Sequence, residues 1–187
     1  MIKINTREDF LIELDEYLPR QCKCVEIGVL YGDFSELILK IIIPECLVLI
    51  DPYLISESKY SNDINSLTTA YSTEQDYQNV LHRFRNEIAS EQVIINRKYS
   101  YEAVDYFADG SLDFVYIDGS HLYLDVKRDL NDWLPKLGKD GLMSGHDNTP
   151  NYKLEVGLAV DDFCKEHNFQ MIIFNENGGD WALKRKQ

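Results

Sequence analysis

Residues able to hold a cation, a proton or a hydroxyl recur in this chain where apolar runs stop. Glu26-Ile27-Gly28 closes the first run, Asp51 closes the second, and Ser100 follows the third. Asp118-Gly119-Ser120-His121 follows the fourth, and Gly145-His146-Asp147-Asn148 the fifth. In open α/β sheets ligands bind beyond the carboxyl ends of the strands, where strand order reverses. A random arrangement would not place a carboxylate or a glycine at nearly every such end. Carboxylates there can accept hydrogen bonds from hydroxyls or ligate a hard cation, and imidazole can take a proton near neutral pH.

The first constellation, Glu26-x-Gly28-x-x-x-Gly32, sits between an expected strand and an expected helix. Glycines in such a turn let the backbone bend tightly and let a ligand come close. The spacing is not Gly-x-Gly-x-x-Gly, so neither a pyrophosphate cradle nor a nicotinamide dehydrogenase is indicated. Asp51, twenty-three residues after Gly28, is placed to accept hydrogen bonds from both hydroxyls of a ribose. A turn glycine followed by a strand-ending aspartate is the plainer alternative.

Elements of alternating type must position these residues. Phe10, Leu11, Leu14 and Leu18 share a helical face, giving an N-terminal helix over 7–18 that Pro19 closes. Cys24–Ile27, Cys46–Ile50, Val93–Ile95, Leu112–Ile117 and Gly141–Ser144 read as strands. Phe169–Phe174 and Asp180–Leu183 read as two more, joined through the turn residues Asn177-Gly178-Gly179. Helices are expected at Tyr101–Phe107, Tyr123–Leu134 and Gly157–Glu166, and from a Ser35 cap through Ile42 to a stop at Pro44. Strand–helix alternation of this kind predicts an α/β fold with a mainly parallel sheet, helices on both faces and one antiparallel strand near an edge. About forty residues separate Asp51 from Val93, more than a crossover needs. The Tyr-containing stretch 53–90, with one helix over 73–87, reads as a lid insertion in a single domain spanning 1–187.

Val25-Glu26-Ile27-Gly28-Val29-Leu30-Tyr31-Gly32-Asp33-Phe34-Ser35 resembles the first motif of class I S-adenosylmethionine-dependent methyltransferases, and Leu49-Ile50-Asp51-Pro52-Tyr53 the second. Asp113-Phe114-Val115-Tyr116-Ile117-Asp118-Gly119-Ser120-His121-x-Tyr123, with Gly141-Leu142-Met143-Ser144-Gly145-His146-Asp147, is similar to the small-molecule branch related to macrocin-type sugar O-methyltransferases. The resemblance implies a Rossmann-like doubly wound sheet of seven strands with the last antiparallel. It implies that Glu26, Gly28 and Gly32 line the methionine end of S-adenosylmethionine, that Asp51 holds the ribose, and that Tyr99 and Ser100 border the adenine. In metal-dependent relatives the positions of Asp118 and His146-Asp147 bind a divalent cation, which makes Asp118 and Asp147 the metal candidates. His146 departs from the acid that some relatives carry. Mg²⁺ prefers oxygen, whereas Mn²⁺ tolerates imidazole, and Asn148 can add an oxygen.

Methyl transfer is an in-line displacement from a sulfonium, so donor and acceptor must be aligned and the acceptor's proton removed. A cation held by Asp118 and Asp147 would acidify and orient an acceptor hydroxyl. His121 is the candidate general base and His146 the second catalytic candidate. The alternatives are a helix-start side chain bonded to a carboxylate for His121, and a supporting or metal-ligating role for His146. The expected reaction is methyl transfer to a hydroxyl of a small molecule, a sugar or glycosylated metabolite. A relative of cephalosporin hydroxylase components and a non-catalytic cofactor-binding accessory protein are the competing readings.

Charge narrows the partners. Thirty-two acids against nineteen Lys+Arg give a formal charge of -13, and residues 101–133 hold eight of the acids against two bases. Such a chain gains little from phosphate contacts or anionic lipid, so neither nucleic acid nor membrane is expected as a partner. No targeting segment or membrane-spanning run is read, and Cys22, Cys24, Cys46 and Cys164 lack zinc spacing, which suits small thiols in a reducing cytoplasm. Trp133 and Trp181 read as packing residues, His82 and His167 as surface residues. Asp125, Asp129 and Asp132 are expected on the exposed face of their helix. A chain without a separate cap domain can borrow a second copy's surface, so a homo-oligomer stays open.

Overall fold

The computed structural model describes residues 4–53, 72–148, 153–175 and 179–186. Five strands, β1 (Lys23–Ile27), β2 (Cys46–Ile50), β3 (Val93–Asn96), β4 (Leu112–Ile117) and β5 (Leu137–Gly145), run parallel. β6 (Phe169–Phe174) and β7 (Trp181–Arg185) complete a seven-stranded sheet of order β3-β2-β1-β4-β5-β7-β6, with β7 antiparallel to both neighbours. The chain moves outward from β1 to β3 and then returns to lay β4 on the other side of β1. That reversal sets the switch point between β1 and β4, where the sheet opens a crevice at its carboxyl edge.

Period-two alternation divides the core into two layers. Cys24, Leu47, Leu49, Phe114 and Tyr116 face α1 (Arg7–Asp15), α2 (Asp33–Ile41) and α3 (Glu74–Arg83). Val25, Ile27, Val115, Ile117 and Met143 face α6 (Tyr123–Trp133) and α7 (Leu158–His167). Trp133 and Trp181 are fully buried packing residues. α4 (Arg85–Ala89) and α5 (Ser100–Ala103) are short. The doubly wound α/β architecture therefore follows the alternation of elements in the sequence. Among the described residues, no helix is long and apolar enough to cross a membrane. The four thiols are free, with Cys22 and Cys24 Sγ atoms 3.4 Å apart.

Several boundaries differ from the expected ones for identifiable reasons. The N-terminal helix stops at Asp15 rather than 18; Thr6 and Asp9 form a reciprocal cap at its start, and Leu18 is still buried in the turn beyond. Ser35 is not the cap of α2. Gly32, at φ 78°, starts that helix three residues earlier, and the Ser35 hydroxyl is turned inward. The helix expected over 73–87 is broken at Phe84, which is buried, into α3 and α4. The Tyr101–Phe107 helix is only α5 followed by a 3-10 turn, Val104–Tyr106. Of the 53–90 stretch, residues 54–71 lie outside the described residues, as do 149–152 and the turn residues Asn177 and Gly178.

Candidate active site

The β1 end is laced to both neighbours. Gly28 N donates to Ile50 O at 2.9 Å, and Asp118 N donates to Ile27 O at 2.8 Å. Gly28 (φ 85°), Leu30 (φ 52°) and Gly32 (φ 78°) all take the left-handed region, which folds the turn tightly over the strand end. Gly32 also leaves room for Phe84, whose ring a Cβ would meet at 2.7 Å. Arg83 clamps the same turn, donating to Tyr31 O at 2.8 Å and Asp33 Oδ1 at 2.6 Å and pairing with Glu36. The described part of the insertion thus packs onto the beginning of α2.

Glu26 is buried beneath that turn and accepts a 2.6 Å hydrogen bond from Ser35 Oγ. Burial pushes its carboxyl up to about 8, against the Ser35 bond that favours the charged form, and the nearby Asp118 and Asp51 charges push it further. Asp51 is also buried. Its Oδ2 accepts from Val29 N and Leu30 N at 3.0 and 3.1 Å, and its Oδ1 from Tyr53 N at 2.9 Å and from the Ser72 hydroxyl. The carboxylate thereby ties β2 to the β1–α2 turn and to the start of α3. The Tyr53 hydroxyl is buried beside it without a hydrogen-bond partner among the described residues.

Tyr99 and Ser100 follow β3, but the Ser100 hydroxyl turns toward α6. It accepts from Trp133 Nε1 at 2.7 Å and meets Asp129. Asp129 is therefore not on an exposed face. It is buried, its Oδ1 has no donor among the described residues, and burial pushes its carboxyl up to about 6. The helix phase explains this: Val126, Leu130 and Trp133 face the sheet, and Asp129 lies within their arc. His82 is exposed, and His167 bonds Asn131 across α6 and α7 at 2.8 Å.

The ends of β4 and β5 bring Asp118, His121, His146 and Asp147 into one corner. His121 Nε2 stands 2.8 Å from Asp147 Oδ2, His146 Nδ1 stands 3.3 Å from the same oxygen, and His146 Nδ1 lies 3.8 Å from Asp118 Oδ1. Asp147 reaches both rings from a left-handed backbone at φ 60°, a region that aspartate tolerates better than most residues. Trp181 fixes the approach: its ring sits where a Cβ on Gly145 would fall, and its Nε1 donates to His146 O at 3.0 Å. The Asp147 bond lifts His121 above its ordinary value despite burial. Burial works against charge on His146 as well, yet Asp147 and Asp118 raise it. Asp147 itself is held well below the usual carboxylate range by the two imidazoles, against its burial. Asp118 goes the other way, lifted chiefly by burial.

Arg7, Tyr116 and Asp180 also belong to this corner and were not found from the sequence. Arg7 Nη2 stands 2.9 Å from Asp118 Oδ2 and also bonds the Tyr116 hydroxyl, and Arg7 Nε stands 3.3 Å from Asp180 Oδ1. Phe114, Tyr116 and Asp118 lie on one face by strand alternation, a usable signal for Tyr116. Arg7 offers no spacing signal, being 111 residues from Asp118.

Chemically, the crevice holds Glu26, Asp51 and Asp118 close enough to perturb one another, which suits a ligand carrying positive charge. Asp118, His121 and Asp147 can each turn one atom toward a shared point, all within 4.8 Å of one another, the donor set of a divalent cation that accepts nitrogen. A family model described as a methyltransferase domain matches residues 25–148, about two thirds of the chain. The chain belongs to that family, the class I S-adenosylmethionine-dependent methyltransferases. An uncharacterized protein of Sinorhizobium fredii is 37% identical over 70 residues, which are 37% of this chain and 7% of that protein. The chain thus spans a small fraction of that relative's length. Among solved structures, a Geobacter sulfurreducens methyltransferase superposes with a TM-score of 0.63 at 16% identity, covering 98% of this chain and 80% of that one. A candidate caffeoyl-CoA O-methyltransferase of Staphylococcus aureus gives 0.64 at 17%, covering 98% and 85%. Spermidine synthase of Thermotoga maritima gives 0.61 at 16%, covering 95% and 57%. At these identities the likeness is one of fold.

Proposed function

We propose that the chain transfers a methyl group from S-adenosylmethionine to a hydroxyl of a small molecule, with a divalent cation at the Asp118 corner. The observation that carries this reading is the convergence of Asp118, His121, His146 and Asp147 beside the Glu26–Gly32 turn. In this reading Glu26, Gly28 and Gly32 line the methionine end, Asp51 the ribose, and Tyr99 with the Ser100 main chain the adenine, the Ser100 hydroxyl being held by Trp133. Bound S-adenosylmethionine supplies an electrophilic methyl on a sulfonium. Asp118 and Asp147 would hold the Mg²⁺ or Mn²⁺, which would supply Lewis acidity to an acceptor hydroxyl. His121 receives the acceptor's proton, and Asp147 Oδ2, 2.8 Å from its Nε2, stabilises the imidazolium formed. The buried turn and the Trp181 anchor keep donor and acceptor ends in fixed relation.

The acceptor is a sugar or glycosylated metabolite on the resemblance to macrocin-type enzymes, and the strongly acidic chain favours a small molecule over nucleic acid. The free thiols suit the cytoplasm. Calorimetry with S-adenosylhomocysteine, followed by mass spectrometry after incubation with methyl-labelled donor and a hydroxylated metabolite panel, tests the reading. Binding of S-adenosylhomocysteine, with label transferred to an oxygen and lost in Asp118→Asn or after chelation, is the expected result. No binding by the wild type sinks the cofactor assignment; transfer that survives both chelation and Asp118→Asn sinks the cation's part.

A further inference from the structure

Arg7 lies outside the residues 25–148 that match the family, yet it brings a permanent positive charge to the family's acidic corner. Its guanidinium packs 4.1 Å from the Phe34 ring centroid, with Nη2 on Asp118 Oδ2 and on the Tyr116 hydroxyl and Nε toward Asp180 Oδ1. Asp180 is fully buried and is held in turn by the Tyr116 hydroxyl at 3.0 Å and by Asn175 Nδ2 at 3.1 Å. The helix α1 therefore carries an anchored cation, not a loose surface arginine. Guanidinium stays charged at any working pH and fits carboxylate geometry well. The corner then contains two carboxylates, Asp118 and Asp147, already faced by Arg7 and by two imidazoles. A divalent ion on Asp118 would share that carboxylate with Arg7, and two cations on one group repel.

We propose that Arg7 is a positioning residue that aims Asp118 and acts as a resident competitor of the divalent cation there. It turns Oδ2 toward α1, leaves Oδ1 facing His146, and lowers the corner's affinity for the metal. Cation affinity is thus set from α1, outside the family-matched segment. The proposal rests on the reading that Asp118 and Asp147 hold a divalent cation.

Mn²⁺ alone, titrated into the full-length protein and followed by the paramagnetic resonance of the free ion, is the test. Arg7→Met should bind Mn²⁺ about tenfold more tightly than the wild type, although its melting temperature falls. Arg7→Lys, which keeps the charge, should stay near the wild type. A role in structure alone would lower affinity together with stability, so the opposite sign is the discriminating result. Asp180→Asn should weaken Mn²⁺ binding, because Asp118 is then the one carboxylate left to pair with Arg7. Mn²⁺ binding by Arg7→Met alone, with none by the wild type, also supports the competition. Equal or weaker binding by a folded Arg7→Met overturns the role of Arg7 while leaving the cation site standing. Absence of binding in both overturns the proposal together with the cation site. If Arg7→Met does not fold, Asp180→Asn decides: binding equal to or tighter than the wild type, or no binding by the wild type itself, overturns the proposal.

Discussion

A Cβ on Gly28 would stand 2.1 Å from the carbonyl oxygen of Asp118, so the turn after β1 lies directly on the backbone leaving β4. The same backbone is held by the bond from Asp118 N to Ile27 O. The turn assigned to the donor and the carboxylate assigned to the cation are therefore one packed unit. Main chain fixes where the Asp118 backbone stands against the turn, and Arg7 sets the direction of the carboxylate.

Gly28→Ala should cost about 2–4 kcal/mol, because the methyl meets main-chain atoms and the φ of 85° is strained for alanine. For a chain of this size that is a fall in melting temperature of roughly 5–15 °C. Gly110→Ala is the control: its φ is 70°, but nothing lies within 4 Å of the added methyl. Thermal melts of the two variants should separate clearly. Equal losses would mean that backbone strain, and not the contact with Asp118, governs Gly28.

The His121–Asp147 pair predicts a pH signature. His121 titrates above its ordinary value because Asp147 bonds its charged form. A raised histidine stabilises the fold fully below its unfolded value of about 6.5, and that contribution is lost as pH rises through the raised value. As a base, His121 works when neutral, so activity should rise with pH on a limb centred above ~6.5. Asp147→Asn should bring the imidazole midpoint down, read by NMR in the presence of chelator, and should cost more stability at pH 6 than at pH 9. An unchanged His121 midpoint in Asp147→Asn would show that the pair is not coupled.

The sheet could be read from the sequence because five apolar runs ended in residues that cannot continue a strand core, and their order forced right-handed crossovers. The same ends marked Glu26, Asp51, Asp118 and the His146-Asp147 pair. What escaped was set by distant contacts. Ser35 has the chemistry of a cap, but a buried Glu26 nearby competes for its hydroxyl. Asp129 sits in a helix that reads as amphipathic with its acids outward, and only the position of Ser100 and Trp133 shows why it is turned in. Arg7 belongs to the site through a helix docked across the sheet, and no local pattern encodes a partner so far along the chain.

Glu26 should make cofactor binding release a proton. Its carboxyl value of about 8 lies above an unfolded value near ~4.3. Its contribution to stability is therefore full below ~4.3 and is lost as pH rises toward the folded value. Glu26→Gln keeps a partner for Ser35 and removes that loss, so the variant should gain several kcal/mol on the wild type near pH 8 and only about 1 kcal/mol near pH 5. A positively charged ligand beside Glu26 favours the carboxylate. Binding enthalpies of S-adenosylhomocysteine, whose ammonium supplies that charge, should vary with the ionisation enthalpy of the buffer in the wild type near neutral pH. In Glu26→Gln that slope should shrink toward zero, and affinity should fall about tenfold. A buffer-independent enthalpy in the wild type would remove Glu26 from the binding proton balance.

Asp51 makes the most exacting prediction, because its carboxylate is already occupied. A carboxylate offers about four acceptor positions. Among the described residues, the donors on Asp51 are Val29 N, Leu30 N, Tyr53 N and the Ser72 hydroxyl. The first two shape the turn over β1, so a ribose hydroxyl can gain Oδ1 only by replacing a donor from the far side, and Ser72 is the one held by a side chain. Ser72→Ala vacates that position without touching the turn. S-adenosylhomocysteine affinity should then rise severalfold, while Asp51→Asn, which weakens every bond in the set, should lower it at least tenfold and cost about 1–3 kcal/mol of stability. The two variants act on one carboxylate with opposite sign, which loss of fold alone cannot imitate. Calorimetry at a temperature where both are folded decides it, and a Ser72→Ala variant that binds more weakly than the wild type would mean that Ser72 supports the ribose site instead of filling it.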